Sequence, residues 1–437
     1  MGRPYKIVII NKSDTTGGAA VVSFRLLEAL RREGAEAGML VAEKKSDSLH
    51  VRLAASKIKI KINFLLERLR IFIDNGFNRS TLFKIDTGEM GLPLWRNQLV
   101  KEADAVLINW VNQGMLSLKG ISKILKSGKA VIWTMHDMWC MTGICHHAYS
   151  CIHFHKQCGN CHLLGKNESS DDLSHKVWKI KSNLYNNAKE SGKRFSFVAV
   201  SSWLMGKGLE SSLLKTMPVE VIPNPFDIPE NPKIRVAKDK ESEIIVLFGA
   251  ARLDDPIKGL PVLKEMSGVI ASRYPETARR LKIVTFGSVK DPAALEGFCL
   301  PLENSGILNA EEVRKAYERA DILISASHYE TLPGTLVEAQ AYGCIPVSFN
   351  QGGQSDIVDH KVTGYLAEIS EDLSVASKNL ADGVVWAISQ LEDSENYQKI
   401  ILKMRENIKA KFSYNSIARQ YIELIDKLLC KNGEKSD

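Results

Sequence analysis

The chain has 437 residues, 44% of them hydrophobic and 25% charged, a composition that belongs to folded proteins and excludes the disordered and fibrous classes. That length exceeds one ordinary core, so two domains of similar size are expected. Lys and Arg number 58 against 51 Asp and Glu, a net +7 that suits phosphate groups or an anionic membrane; without a dense basic patch, no nucleic-acid partner is expected.

The chain enters the β-branched run Lys6–Ile10 almost at once, with no apolar leader before it and no membrane-length apolar run after it. A cytoplasmic protein with mostly reduced cysteines is therefore expected. The next segment, Asn11 to Ala20, contains Gly17-Gly18 and leads into a helical pattern with Val22, Leu26, Ala29 and Leu30 on one face and Gly34 as its stop. Paired glycines at a helix start let a phosphate approach the backbone, but the loop lacks the signatures of the known phosphate-binding loops, and a plain tight turn fits equally. A strand is expected over Ala37–Val41. The stretch Ala54–Arg70 is basic and apolar, a pattern shared by a helix lying on an anionic membrane and by an amphipathic core helix.

Further strands are predicted over Ala105–Trp110, Ala130–Thr134, Phe197–Ser201 and Val219–Pro223, spaced as parallel strands with crossovers. Past the fourth of the first-half runs, Cys140, Cys145, Cys151, Cys158 and Cys161 share a short segment with His136, His146, His147, His153, His155 and His162. Cys158-Gly-Asn-Cys161 has the spacing of a knuckle that places two thiolates on one ion, and Cys145 and Cys151 complete a four-thiolate set. A structural zinc is the expectation, with unligated buried thiols and then disulfides as the alternatives. Asn224-Pro225-Phe226 and the charged stretch to Glu243 break the pattern. We place the domains at 1–224, with the cysteine-rich insertion over about 140–162, and at 225–412; residues 413–437 form a last helix that returns to the first domain, with Ile417, Tyr421, Ile422, Ile425 and Leu428 as its apolar stripe.

The second half repeats the alternation with strands at Ile244–Gly249, Leu281–Phe286, Ile322–Ser325 and Ile345–Phe349, so two Rossmann-like halves are expected. Arg252 and Lys258 fall on the loop after the first of these, where cations neutralise a bound diphosphate. Glu330-Thr331-Leu332-Pro333-Gly334-Thr335-Leu-Val-Glu338 sets one carboxylate before a Pro-Gly corner and another about a turn inside the following helix. Helix-start amides suit phosphate and carboxylates suit sugar hydroxyls, so the segment fits a nucleotide sugar.

Together, Gly17-Gly18, Trp133-Thr-Met-His136-Asp137, Pro223-Asn-Pro225, Arg252 with Lys258-Gly259, and Glu330 to Glu338 followed by Ala341-Tyr-Gly343-Cys-Ile-Pro346 resemble the family-4 retaining glycosyltransferases of GT-B fold. The resemblance runs over nearly the whole chain in the same order. It implies two Rossmann-like domains facing across a cleft, with Arg252 and Lys258 on the donor diphosphate, Glu330 on the transferred sugar, Glu338 on the ribose and His136 beside the reacting sugar. Gly17, Gly18 and Thr331 to Thr335 would also line the donor. The cysteine-rich insertion is similar to that of bacterial polysaccharide-cluster members of this family; a saccharide acceptor is expected, or a lipid-linked saccharide if Ala54–Arg70 lies on a membrane. No Asp-x-Asp motif occurs, so no catalytic metal is expected. A sugar-nucleotide epimerase of the same fold and a non-catalytic binding module are the other readings.

Overall fold

A computed structural model describes residues 3–190, 192, 194–230 and 235–430. The chain divides into two compact units, one formed by residues up to Pro225 together with those from Tyr414 onward, the other by Phe226–Ser413.

In the first unit the described residues form a parallel sheet of β1 (Lys6–Ser13), β2 (Glu36–Glu43), β3 (Val51–Leu53), β4 (Ala105–Ile108), β5 (Ala130–Met135), β6 (Phe195–Ala199) and β7 (Val219–Val221), ordered β3-β2-β1-β4-β5-β6-β7. Central strands of such a sheet are covered on both faces, and every residue of β4 and β5 is accordingly buried. One face is closed by helices Gly18–Arg32 and Tyr414–Cys430: Leu26, Leu30, Ile417, Tyr421 and Ile425 share a core with Ile7, Ile9 and Leu107. Thr134 and Tyr421 join their hydroxyls at 2.9 Å, which fixes the late helix on β5. Strand order reverses between β1 and β4, so ligands are expected at the carboxyl ends of these strands.

The second unit repeats the plan. Its strands are β8 (Ile244–Arg252), β9 (Leu281–Ser288), β10 (Leu302–Asn304), β11 (Ile322–Ser325), β12 (Ile345–Phe349) and β13 (Tyr365–Ala367), all parallel, in the order β10-β9-β8-β11-β12-β13. The reversal here lies between β8 and β11. Each unit is thus Rossmann-like, as expected. Every strand read from the sequence is present, and the edge strands β3, β10 and β13 are additional; at three residues each they are too short to show a period.

The core-helix reading of Ala54–Arg70 is corrected. Helix Lys57–Asp74 buries Glu67, Arg68 and Ile71, while Ile58, Ile62, Leu65, Leu66, Leu69 and Ile73 are exposed. Its charged residues face inward because each finds partners there. Glu67 accepts from the backbone N–H groups of Thr87, Gly88 and Met90, and Arg68 pairs with Asp86. Among the described residues no helix is long and apolar enough to cross a membrane.

Candidate functional site

In the second unit, β8 ends on Arg252 after an irregularity in its register with β9. The guanidinium lies 3.4 Å from Asp254 and 3.0 Å from Asp255, and its side chain is 46% exposed. Asp255 also caps the short turn Pro256–Lys258, and Gly259 follows at φ +75°. A Cβ at Gly259 would stand 2.1 Å from the Ala326 carbonyl, so only glycine lets this loop close onto the end of β11. The same contact is reinforced by His328, whose N–H donates to the Ile257 carbonyl at 2.9 Å.

Lys258, placed by that closure, forms an ion pair with Glu330. Glu330 itself is held through its backbone: its carbonyl accepts from Gly353 N–H at 3.0 Å, and a Cβ at Gly352 would lie 2.1 Å from that carbonyl. The chain continues through Thr331 and buried Leu332 to Pro333, which precedes helix Gly334–Ala341. Gly334 and Thr335 therefore open the helix, with backbone N–H groups that have no partner inside it. Glu338 follows one turn later and accepts from the Tyr317 hydroxyl at 3.1 Å, while the Tyr317 ring stacks on Tyr342 at 5.9 Å. Beside the Gly352 turn, Gln354 is fully buried, and among the described residues neither of its amide atoms has a hydrogen-bond partner. Cations, a helix start and two carboxylates thus meet at the carboxyl ends of β8, β11 and β12. The arrangement can hold an anion at one end and hydroxyls at the other.

In the first unit, Gly17 sits at φ +91° before helix Gly18–Arg32, and among the described residues a Cβ on either Gly17 or Gly18 would meet no atom within 4 Å beyond its own chain neighbours and helix backbone. Glycine is required at Gly17 by its backbone, and the space beside the pair is open. His136 follows β5, with Nε2 3.1 Å from Asn109 Oδ1 at the end of β4. Burial pushes its imidazole down to about 4, against the opposing charge of Asp137, so it is neutral near pH 7.

Asp137 accepts from Trp110 Nε1 and the Trp139 N–H, each at 2.8 Å. His146 stands between two carboxylates, Nδ1 2.7 Å from Asp137 and Nε2 2.8 Å from Asp86. Burial disfavours the charged imidazole, yet Asp137 and Asp86 outweigh it and push the group up to about 10. Asp137 is correspondingly held far below the ordinary carboxylate range. A buried Arg68–Asp86–His146–Asp137 chain of alternating charge therefore anchors the corner that carries His136. Sequence reasoning placed His146 among the cysteine-segment histidines and passed over Asp86, which lies 60 residues away.

The cysteine segment is made of loops and single 3-10 turns. Cys145, Cys151, Cys158 and Cys161 line one common cavity of about 20 Å³, whereas Cys140 lies buried in the turn Trp139–Met141. None of the eight cysteines is in a disulfide. Burial pushes Cys145, Cys158 and Cys161 up to about 12. Among the described residues no three His, Cys, Asp or Glu side chains already stand as ligands around one point. Close by, Lys181 is fully buried and donates to the carbonyls of Trp139, Thr142 and Gly143 at 2.6, 3.1 and 2.9 Å.

Comparison with known proteins bears on the second unit. Residues 239–407, which lie within the second unit, match the family Glycosyl transferases group 1. A glycogen synthase of Thermodesulfovibrio yellowstonii is 34% identical over 123 residues, which are 28% of this chain and 23% of that protein. The chain spans about a quarter to a third of the length of the curated relatives it matches first. Among solved structures, a glycosyltransferase from Rickettsia africae ESF-5 aligns with 99% of this chain and 100% of its own at TM-score 0.62 and 16% identity. Anabaena Alr3699/HepE, solved in complex with UDP-glucose, aligns with 97% of this chain and 100% of its own at TM-score 0.57 and 15% identity. These likenesses give the fold, GT-B, with its two parallel-sheet Rossmann-like domains.

Proposed function

We propose that the protein transfers a sugar from a nucleoside-diphosphate donor to a hydroxyl of a saccharide or lipid-linked saccharide, with retention of configuration, in the assembly of a surface polysaccharide. The observation that carries this reading is the convergence of Arg252, Lys258, Glu330 and the Gly334 helix start at the strand ends of a group 1 domain. As the bond from anomeric carbon to diphosphate oxygen breaks, negative charge grows on the leaving diphosphate. In this reading Arg252, Lys258 and the helix-start amides stabilise it. The Lys258–Glu330 pair is then exchanged: the ammonium turns to phosphate, and Glu330 becomes an acceptor for hydroxyls of the transferred sugar. Glu338, one turn into the helix, receives the ribose. The acceptor oxygen attacks from the face the diphosphate leaves, its proton passing to a diphosphate oxygen, so no protein nucleophile and no catalytic metal is required. His136, neutral at working pH, is assigned to the reacting sugar by the family resemblance alone.

The lipid-linked form of the acceptor is supported by helix Lys57–Asp74, whose exposed Ile58, Ile62, Leu65 and Leu69 lie beside Lys57, Lys59, Lys61 and Arg70. An apolar face rimmed by cations fits an anionic bilayer surface. Sedimentation with anionic but not neutral vesicles checks this, and no sedimentation with either removes the membrane from the reading. The decisive experiment for the activity is a nucleotide-sugar screen followed by determination of the product anomer. Product with the donor's configuration supports the proposal; inverted product, donor isomerised without acceptor, or binding with no turnover each overturns it.

A further inference from the structure

Four features of the cysteine segment go beyond sugar transfer. First, the cavity shared by Cys145, Cys151, Cys158 and Cys161 has room for about one atom, at about 20 Å³. A water there would need two to four polar partners. The polar side chains around it are already engaged: Thr142 donates to the Cys145 carbonyl at 2.5 Å, Ser174 to Asp172 at 2.6 Å, and His153 Nδ1 lies 2.8 Å from the Gly159 carbonyl. What remains facing the space is sulfur and hydrocarbon, a set that selects a soft cation.

Second, the backbone already serves the sulfurs. The Gly143 N–H donates to Cys158 Sγ at 3.1 Å. Third, Asn160 adopts φ +47° inside Cys158-Gly-Asn-Cys161, and its N–H is tied to the Ser169 carbonyl at 2.7 Å while that of Cys161 is tied to Asp172 at 2.8 Å. The turn that brings two sulfurs to one side is thus built by contacts from outside it.

Fourth, Lys181 is a fully buried cation whose hydrogen-bond partners are three carbonyls; among the described residues no carboxylate pairs with it. A buried ammonium is costly without a compensating negative charge. A dication held by four thiolates carries a net charge of about −2 and supplies it. One of the lysine's acceptors, Gly143, is the residue whose N–H reaches Cys158.

We infer that Cys145, Cys151, Cys158 and Cys161 bind one zinc ion in their shared cavity, with Lys181 as its buried counter-charge. Binding forms four Zn–S bonds and releases four thiol protons to solvent, with no change of oxidation state. Four protein ligands leave no open position, so the ion acts as a staple and not in the reaction. What it staples is the anchor described above. Cys145 directly precedes His146, Ile85 bridges to Cys145, and Asp86 N–H donates to the Ile144 carbonyl at 2.8 Å.

Elemental analysis of the full chain, purified without a histidine tag, should find about one zinc per chain. Cys158→Ser and Cys161→Ser should lose it, while Cys140→Ser, at a buried cysteine outside the cavity, should keep it. Should the ligand variants fail to fold, wild-type protein stripped with a chelator and refilled with Co²⁺ should show the thiolate-to-cobalt charge-transfer band of a tetrahedral sulfur site. Hydrogen exchange should quicken at Ile144 to His146 in the stripped protein while nucleoside-diphosphate affinity stays unchanged. Metal-free protein whose cysteines all react freely, disulfides trapped by alkylation, iron in place of zinc, or a Cys140→Ser variant without metal would each overturn the assignment.

Discussion

The two candidate regions are held in place by different means. At the carboxyl ends of β8, β11 and β12, position is set by backbone: Gly259 lets a loop touch Ala326, and Gly352 and Gly353 grip the carbonyl of Glu330. Around His136, position is set by side chains, through the buried chain Arg68–Asp86–His146–Asp137 that spans distant parts of the first unit. A backbone-held site keeps its shape when a functional side chain is cut, so its losses should appear in binding and rate. A site held by buried charges loses its shape with the charge, and its losses should appear first in stability.

The sharpest break of that contrast is Asp86→Ala. It leaves Arg68 buried without its carboxylate and His146 with Asp137 alone, and removing one partner of a buried pair costs about 3–5 kcal/mol. Denaturant unfolding should show this loss in the first unit while nucleoside-diphosphate binding persists; an unchanged midpoint would mean that the charges do not hold the corner. Lys258→Ala should do the reverse, lowering kcat/KM by about 10²–10³ with little change in Tm. An unimpaired variant would remove Lys258 from the leaving-group role. Smaller effects, about ten- to a hundredfold, are expected from Glu330→Ala on use of the donor sugar and from Glu338→Ala on affinity for the free nucleotide, each reflecting one lost charged hydrogen bond. Calorimetry showing both variants weakened alike on free nucleotide would contradict the division of labour between them.

A further effect is one of pH. His136 titrates near 4 in the fold and near about 6.5 unfolded, so between these values the unfolded chain binds more protons. Its contribution to stability is whole above about pH 6.5 and is lost as pH falls toward about 4. His136→Gln should therefore flatten the acid limb of the stability profile relative to wild type, and the rate profile should carry no His136 inflection near neutrality. An equally steep acid limb in the variant would show that His136 is not buried neutral.

Legibility in the sequence followed the same line. Long buried strands such as Ile345–Phe349 announce themselves by composition, and a site made of strand ends and glycine turns could be read from Arg252 to Glu338 along the chain. Helix Lys57–Asp74 misled because its inward residues are charged, and Glu67 is buried only where the Thr87 and Gly88 amides come to meet it. The partnership of Asp86 with His146 left no trace either, since neither residue has a fixed spacing to the other and the contact exists only once β4, β5 and their loops are assembled. The unsatisfied amide of Gln354 is of the same kind: nothing distinguishes a glutamine in a turn until its surroundings are closed.

The helix Tyr414–Cys430 has a consequence in time. It supplies Ile417, Tyr421 and Ile425 to a core otherwise made from the opening strands, yet the ribosome makes it only after the whole of Phe226–Ser413. At the usual pace of translation that interval is roughly ten to forty seconds. Throughout it, the nascent first unit exposes the apolar surface that Ile417, Tyr421 and Ile425 will cover, and by its end the second unit has every residue of its own. The earlier half of the gene thus encodes the later half of the folding reaction, and a chain arrested before Tyr414 carries a finished second unit behind an open first one.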